Sequence, residues 1–186
     1  MLVKDVVVQV LNILQNYEMV ETLNSGLELN ETQTEELGLL VMCVNLVNNI
    51  IATDYIKLKE TVSLHNTNGK IRYADITNRN ILDIVSISDD YGNSLRFKSD
   101  YDGVITKKGK VKICYAFIPN SLNLDDEIDY KTHMTERVFS YGVLAEYFFV
   151  KGNFDDASIW DIRFKQALQS VRRSLKDVRV LKREWI

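Results

Sequence analysis

The apolar residues of this chain change their spacing twice, from steps of three and four to alternation and back again. Only a fold that mixes helices with sheet satisfies both rhythms. Over residues 2–17, Leu2, Val3, Val6, Val7, Val10, Leu11, Leu14 and Tyr17 mark one face of an amphipathic helix. Asn24-Ser25-Gly26 breaks it. Thr32-Gln33-Thr34-Glu35 then reads as a capping box. It opens a second helix to about Tyr55, with Leu37, Leu40, Val41, Val44, Val47, Ile51 and Tyr55 on its buried stripe.

Near Ile56 the period falls to two. Val62 and Leu64 lead into a turn over residues 65–70 that contains the favoured pair Asn68-Gly69. Residues 71–76 and 81–87 are the next strand-like runs, and residues 89–93 turn the chain into Leu95-Arg96-Phe97. Asp102-Gly103 and Lys108-Gly109 punctuate two more strands, the last with Val111, Ile113, Tyr115 and Phe117 on one face. Strands this short, joined by tight turns, predict an antiparallel meander, because parallel pairing needs long crossovers. Pro119, the only proline, ends it.

After a polar acidic loop over residues 120–129, helical spacing returns. Val138, Tyr141, Leu144, Ala145 and Phe148 predict a third helix over residues 132–150. Gly152 suits a left-handed C-cap, and Asp155 or Asn153 caps a fourth helix carrying Ala157, Trp160, Phe164, Ala167, Leu168, Val171 and Leu175. So short a link predicts an antiparallel pair. The expected architecture is α+β: a four-helix bundle-like core, an inserted antiparallel β-meander and an extended C-terminal arm. It is read as one domain over residues 1–186, divided at 1–55, 56–119, 130–175 and 176–186. The two helix pairs are expected to pack together, with the sheet projecting from one end.

Composition narrows the class. With 186 residues, 46% of them hydrophobic, the chain can bury a core without disulfides or metals. Cys43 and Cys114 are the only cysteines and share no ligand spacing, so both read as packed thiols. Residues 1–5 lack a basic n-region, and no signal peptide is expected. The most apolar stretch, residues 37–52, is shorter than a membrane span and is interrupted by Asn45, Asn48 and Asn49. A buried helix is expected there, and no membrane partner.

The formal net charge of −3 hides a strong asymmetry. Residues 1–60 carry 3 basic and 9 acidic side chains, residues 61–124 carry 9 and 6, residues 125–161 carry 3 and 9, and residues 162–186 carry 8 and 2. The basic end mixes Arg172, Arg173, Lys176, Arg179, Lys182 and Arg183 with Leu181, Trp185 and Ile186. Exposed Trp-Ile invites aggregation. Three readings stand: the segment folds back on its own body, it docks on a partner with Trp185 as anchor, or its basic residues bind nucleic acid in a salt-dependent way.

Signatures of chemistry are sparse. No Walker loop, dinucleotide fingerprint, HExxH, CxxC or Gly-x-Ser-x-Gly elbow occurs. His65, in the expected turn, and His133, at a helix start, read as surface residues. Asp125, Asp126, Glu127 and Asp129 are hard oxygen ligands, but the run lacks the glycine and alternation of a calcium loop, so a solvated loop is expected. Asp155 and Asp156 suit a helix N-terminus. Catalysis and cofactors are not expected.

One stretch is more specific. Glu136-Arg137-Val138-Phe139-Ser140-Tyr141-Gly142-Val143-Leu144-Ala145-Glu146-Tyr147 leads through Gly152-Asn153-Phe154-Asp155-Asp156-Ala157 to Trp160-Asp161-Ile162-Arg163-Phe164 and Ala167-Leu168. It is similar to the C-terminal helical hairpin of phage neck proteins, the head-to-tail adaptor or connector family. Those proteins show a Gly-x-x-Ala-Glu helix, a short glycine turn and an aromatic-rich helix with a basic-aromatic pair. The element order agrees too, with a β insertion ending in Tyr115-Ala116-Phe117-Ile118-Pro119. The resemblance implies a virion structural protein, made in the host cytoplasm. It implies a homo-oligomeric ring, commonly dodecameric, between the portal protein and a tail or nozzle protein. Genomic DNA would pass through its channel without sequence-specific contacts. In short-tailed phages the C-terminal arm of such adaptors reaches the portal, which gives that role here to Arg179, Leu181, Lys182, Arg183, Trp185 and Ile186. Arg172, Arg173, Lys176, Asp155 and Asp156 become candidates for subunit contacts. The alternative among closely related neck components is a stopper or a tail completion protein. From other classes, a nucleic-acid-binding regulator using the basic end and a carboxylate-based metal enzyme using Asp125, Asp126, Glu127 and Asp129 are the alternatives.

Overall fold

The computed structural model describes residues 1–130 and 134–174. In order these form α1 (Val3–Ile13), α2 (Tyr17–Ser25), α3 (Glu31–Ile50), a π-helical turn (Ile51–Tyr55), β1 (Leu58–Asn66), β2 (Lys70–Arg72), α4 (Tyr73–Ile76), β3 (Ile81–Asp89), β4 (Ser94–Leu95), β5 (Phe97–Asp100), β6 (Gly103–Thr106), β7 (Gly109–Phe117), α5 (Glu136–Val150) and α6 (Phe154–Ser174). This is the α+β class expected from the two periods. The chain divides into two compact units: a helical one over residues 1–47 and 122–186, and a β-rich one over residues 48–121.

In the helical unit, local chemistry moves several boundaries. The first helix ends at Ile13, because Gln15 takes a left-handed φ of 60° and Asn16 starts a separate helix by accepting from Met19 N–H at 3.3 Å. Tyr17 therefore begins α2 and is exposed, off the expected stripe. The capping box of α3 lies two residues earlier than Thr32–Glu35. Asn30 Oδ1 accepts from Gln33 N–H at 2.8 Å, and Asn30 N–H donates to Gln33 Oε1 at 3.1 Å. An amide pair does here what a hydroxyl and a carboxylate were expected to do.

The α3 helix and its π turn run 25 residues from Glu31, long and apolar enough by length and composition to cross a membrane. Its apolar residues have a use inside the unit. Leu40, Cys43, Val44 and Val47 are fully buried. Asn45 Nδ2 donates to Leu122 C=O at 2.9 Å, and its Oδ1 accepts from Leu122 N–H at 2.7 Å.

The acidic loop is likewise tied down. Val3 N–H and Lys4 N–H, two of the amides that a helix start leaves unpaired, donate to Asp126 C=O and Leu124 C=O at 3.0 and 2.9 Å. Ile128, beside them, is buried. The third helix begins at Glu136, and residues 132 and 133 of its expected start lie outside the described residues. Its end is as expected, with Gly152 at φ 77°, and Asn153 is the cap of α6, its Oδ1 accepting from Asp156 N–H at 3.4 Å.

The β-rich unit holds two antiparallel sheets, in the orders β1-β7-β3-β4 and β2-β6-β5. The first and last strands of the insertion pair along their whole length, Leu58 opposite Phe117 and Asn66 opposite Gly109. Both sheets contribute to one cluster built on Ile71, Ile84, Ile87, Val104, Val111, Ile113 and Tyr115. Within residues 71–76 only the first two are strand; Tyr73–Ile76 is a short helix, Tyr73 N–H donating to Asp102 C=O. His65 lies in β1 opposite Lys110, not in a turn. The turn is held by Asn66, which is buried: its Nδ2 donates to Thr106 and Lys107 carbonyls and its Oδ1 accepts from Gly69 N–H at 2.8 Å.

Candidate functional site

The α5–α6 hairpin carries the residues that drew attention in the sequence, and their packing explains the spacing. A Cβ at Gly142 would lie 2.8 Å from Val47 Cγ1 and 2.9 Å from the Phe164 ring, so glycine lets α3, α5 and α6 approach closely. Tyr141 packs against Trp160 with ring centroids 5.5 Å apart. Arg163 lies over the Trp160 ring at 4.7 Å. Ser140 Oγ donates to Gln9 Oε1 at 3.1 Å, fastening α5 to α1.

Polar ties run between α3 and α5 as well. Tyr147 Oη donates to Glu36 Oε1 at 2.5 Å and Lys151 Nζ meets Glu36 Oε2 at 2.8 Å. Burial pushes the Glu36 carboxyl up, but the hydrogen bonds from Lys151 and Tyr147 outweigh it and hold the group below its ordinary range. Cys43 faces the same region; burial, with Glu146 and Glu36 nearby, pushes its thiol up to about 11. That keeps it protonated and unreactive at neutral pH.

At the tip of the hairpin the surface changes character. Phe149 and Phe154 stack edge-on at 5.5 Å yet are 60% and 64% exposed. Val150, Ile159 and Ile162 are exposed too. The two phenylalanines, with Ala145 and Ala157, wall a groove of about 320 Å³ rimmed by Glu146, Ser158 and Asp161. Burial, and then the charge of Asp161, raise the Glu146 carboxyl above its ordinary range. Among the described residues Glu146 has no hydrogen-bond or ion-pair partner, whereas Asp161 holds Lys165 at 2.6 Å. Sequence reading took the buried stripes and missed this face. Its signal was three consecutive apolar residues, Phe148-Phe149-Val150, which no single helix face can bury, and Ile159 and Ile162 off the stripe of Phe164.

The expected contact residues separate along α6. Asp155 and Asp156 lie in its first turn and Arg172 and Arg173 in its last. Both arginines are exposed and neither has an ion-pair partner among the described residues. Lys176, Arg179, Leu181, Lys182, Arg183, Trp185, Ile186 and His133 lie outside the described residues. Of the acidic loop, Asp126 Oδ2 accepts from Asn123 N–H at 2.6 Å and Glu127 pairs with the N-terminal ammonium at 3.5 Å. Among the described residues, no three His, Cys, Asp or Glu side chains gather as a metal site.

The sequence matches no known family model, and no curated protein is detectably similar to it.

Proposed function

We propose that this chain is a structural protein of the phage neck without catalytic activity, a head-to-tail adaptor that forms a ring between portal and tail. The carrying observation is the α5–α6 hairpin. The residues of the resemblance, Gly142, Trp160 and Phe164 among them, are those on which its helices pack. That packing leaves Phe149, Phe154, Ile159 and Ile162 open to solvent. An apolar face of this kind on a folded helical unit supports a role in protein–protein assembly. The basic segment ending in Trp185-Ile186 supplies a second contact, directed at the portal.

Negative-stain imaging of the full chain mixed with portal rings tests the reading: an added ring beneath the portal is expected, and bare portals refute it. Deleting residues 178–186 leaves a folded chain that no longer co-sediments with portal. Trp185→Ala weakens docking by about 2–4 kcal/mol if the indole is a buried anchor. An unchanged binding isotherm removes Trp185 from the contact.

A further inference from the structure

We propose that the groove at the tip of the α5–α6 hairpin is a socket for the Arg172–Arg173 end of α6 from a second copy of this chain. The groove offers what an arginine needs. Phe149 and Phe154 give aromatic faces for a guanidinium and its aliphatic stem. Glu146, without a cation of its own among the described residues, and Asp161 supply carboxylates beside them. Asp155, exposed, and Asp156, half-buried, in the first turn of α6 extend the negative field around the opening.

The complement lies on the same helix and cannot reach. Asp161 and Arg172 are eleven residues apart on α6, about 16 Å along a rigid helix, and Asp155 and Arg172 about 25 Å. An arginine side chain spans well under half of the longer distance. Among the described residues, Glu146 beside the exposed aromatics at one end lacks a cation and Arg172 and Arg173 at the other lack an acid, and a second copy of the chain supplies each with its complement. Socket and plug are different surfaces, so the contact is heterologous, running head to tail from copy to copy. Such a contact closes into a ring when its rotation divides the circle, and that closure rests on the adaptor reading above; the contact itself does not.

Charge reversal tests it with the full-length chain in sedimentation velocity at tens of micromolar. Wild type is expected to self-associate, less so at high salt. Glu146→Lys with Asp161→Lys should weaken association by at least about a hundredfold, since like charges then meet across the contact. Arg172→Glu with Arg173→Glu should do the same. Mixing the two reversed chains should restore it, because each socket again meets an opposite charge. Should the lysine variant fail to fold by circular dichroism, the neutral pair Glu146→Gln with Asp161→Asn reads the weakening of association alone, without the rescue. A wild type that stays monomeric under cross-linking, or reversed chains that assemble unaided, overturns the proposal. Reversed chains that still form rings on portals overturn the contact and leave the adaptor standing. Association that shows the reversal and rescue, but no binding to portal, upholds the contact and removes the adaptor.

Discussion

Gly142→Ala and Gly38→Ala make the same chemical change in two helices and should act in opposite directions. Both glycines sit inside helices, where alanine is preferred by about 1 kcal/mol. At Gly38, on the exposed side of α3, an added methyl meets nothing within 4 Å. Gly38→Ala should therefore stabilise by about the full intrinsic preference. At Gly142 the new Cβ lands 2.8 Å from Val47 Cγ1, 2.9 Å from Phe164 Cε2 and 3.0 Å from Phe164 Cζ. Ordinary carbon contacts are roughly 3.5–4 Å. Neither neighbour yields easily: Val47 is β-branched and fully buried, and the Phe164 ring is wedged between helices. Overpacking of this kind costs about 1–3 kcal/mol. Set against the propensity gain, Gly142→Ala is destabilising by about 1 kcal/mol, and the two variants differ by about 2 kcal/mol. For a chain of this size that separates their midpoints by about 4–8 °C. Thermal melts followed by circular dichroism at 222 nm read the helices directly. If Gly142→Ala melts with or above Gly38→Ala, the three-helix contact at this position is wrong.

Other consequences are as direct. Asn30→Ala should cost about 1 kcal/mol through loss of the α3 cap, while Thr32→Ala should be near neutral; urea midpoints distinguish them. Asn66→Ala strands the Gly69 amide in the β1–β2 turn and the Thr106 and Lys107 carbonyls at the β6–β7 turn, and should destabilise the chain by about 2–4 kcal/mol, read from the same titrations. Glu36 is held below its ordinary range in the folded state, so its stabilisation is present at neutral pH and lost as pH falls through that depressed value. Glu36→Gln should flatten the acid limb of a stability-against-pH curve. Glu146 has the opposite sign: its raised value means stability is lost as pH rises past the ordinary carboxylate range. Glu146→Gln should raise the midpoint at neutral pH, with no effect at acid pH where both states are already protonated.

Periodicity by itself determined the class of fold, the positions of the long helices, the extent of the β insertion and the glycine ends of the hairpin. Those depend on which residues share a face and on backbone freedom, and both are written locally. Gly152, left-handed at the end of α5, and the stripe of Leu40, Val44 and Val47 are read without any knowledge of neighbours. Tertiary structure decided the rest. Asn30 rather than Thr32 caps α3, a choice to which propensity is indifferent. The pairing of β1 with β7 joins residues about fifty apart, which turn chemistry cannot encode. The loop expected to be merely solvated is held because its carbonyls meet the open amides of α1. The groove between Phe149, Phe154 and Glu146 exists only once two helices lie side by side. A helical wheel marks those residues as leftover apolar and charged positions; packing turns them into one surface, because burial is a property of neighbours and not of sequence.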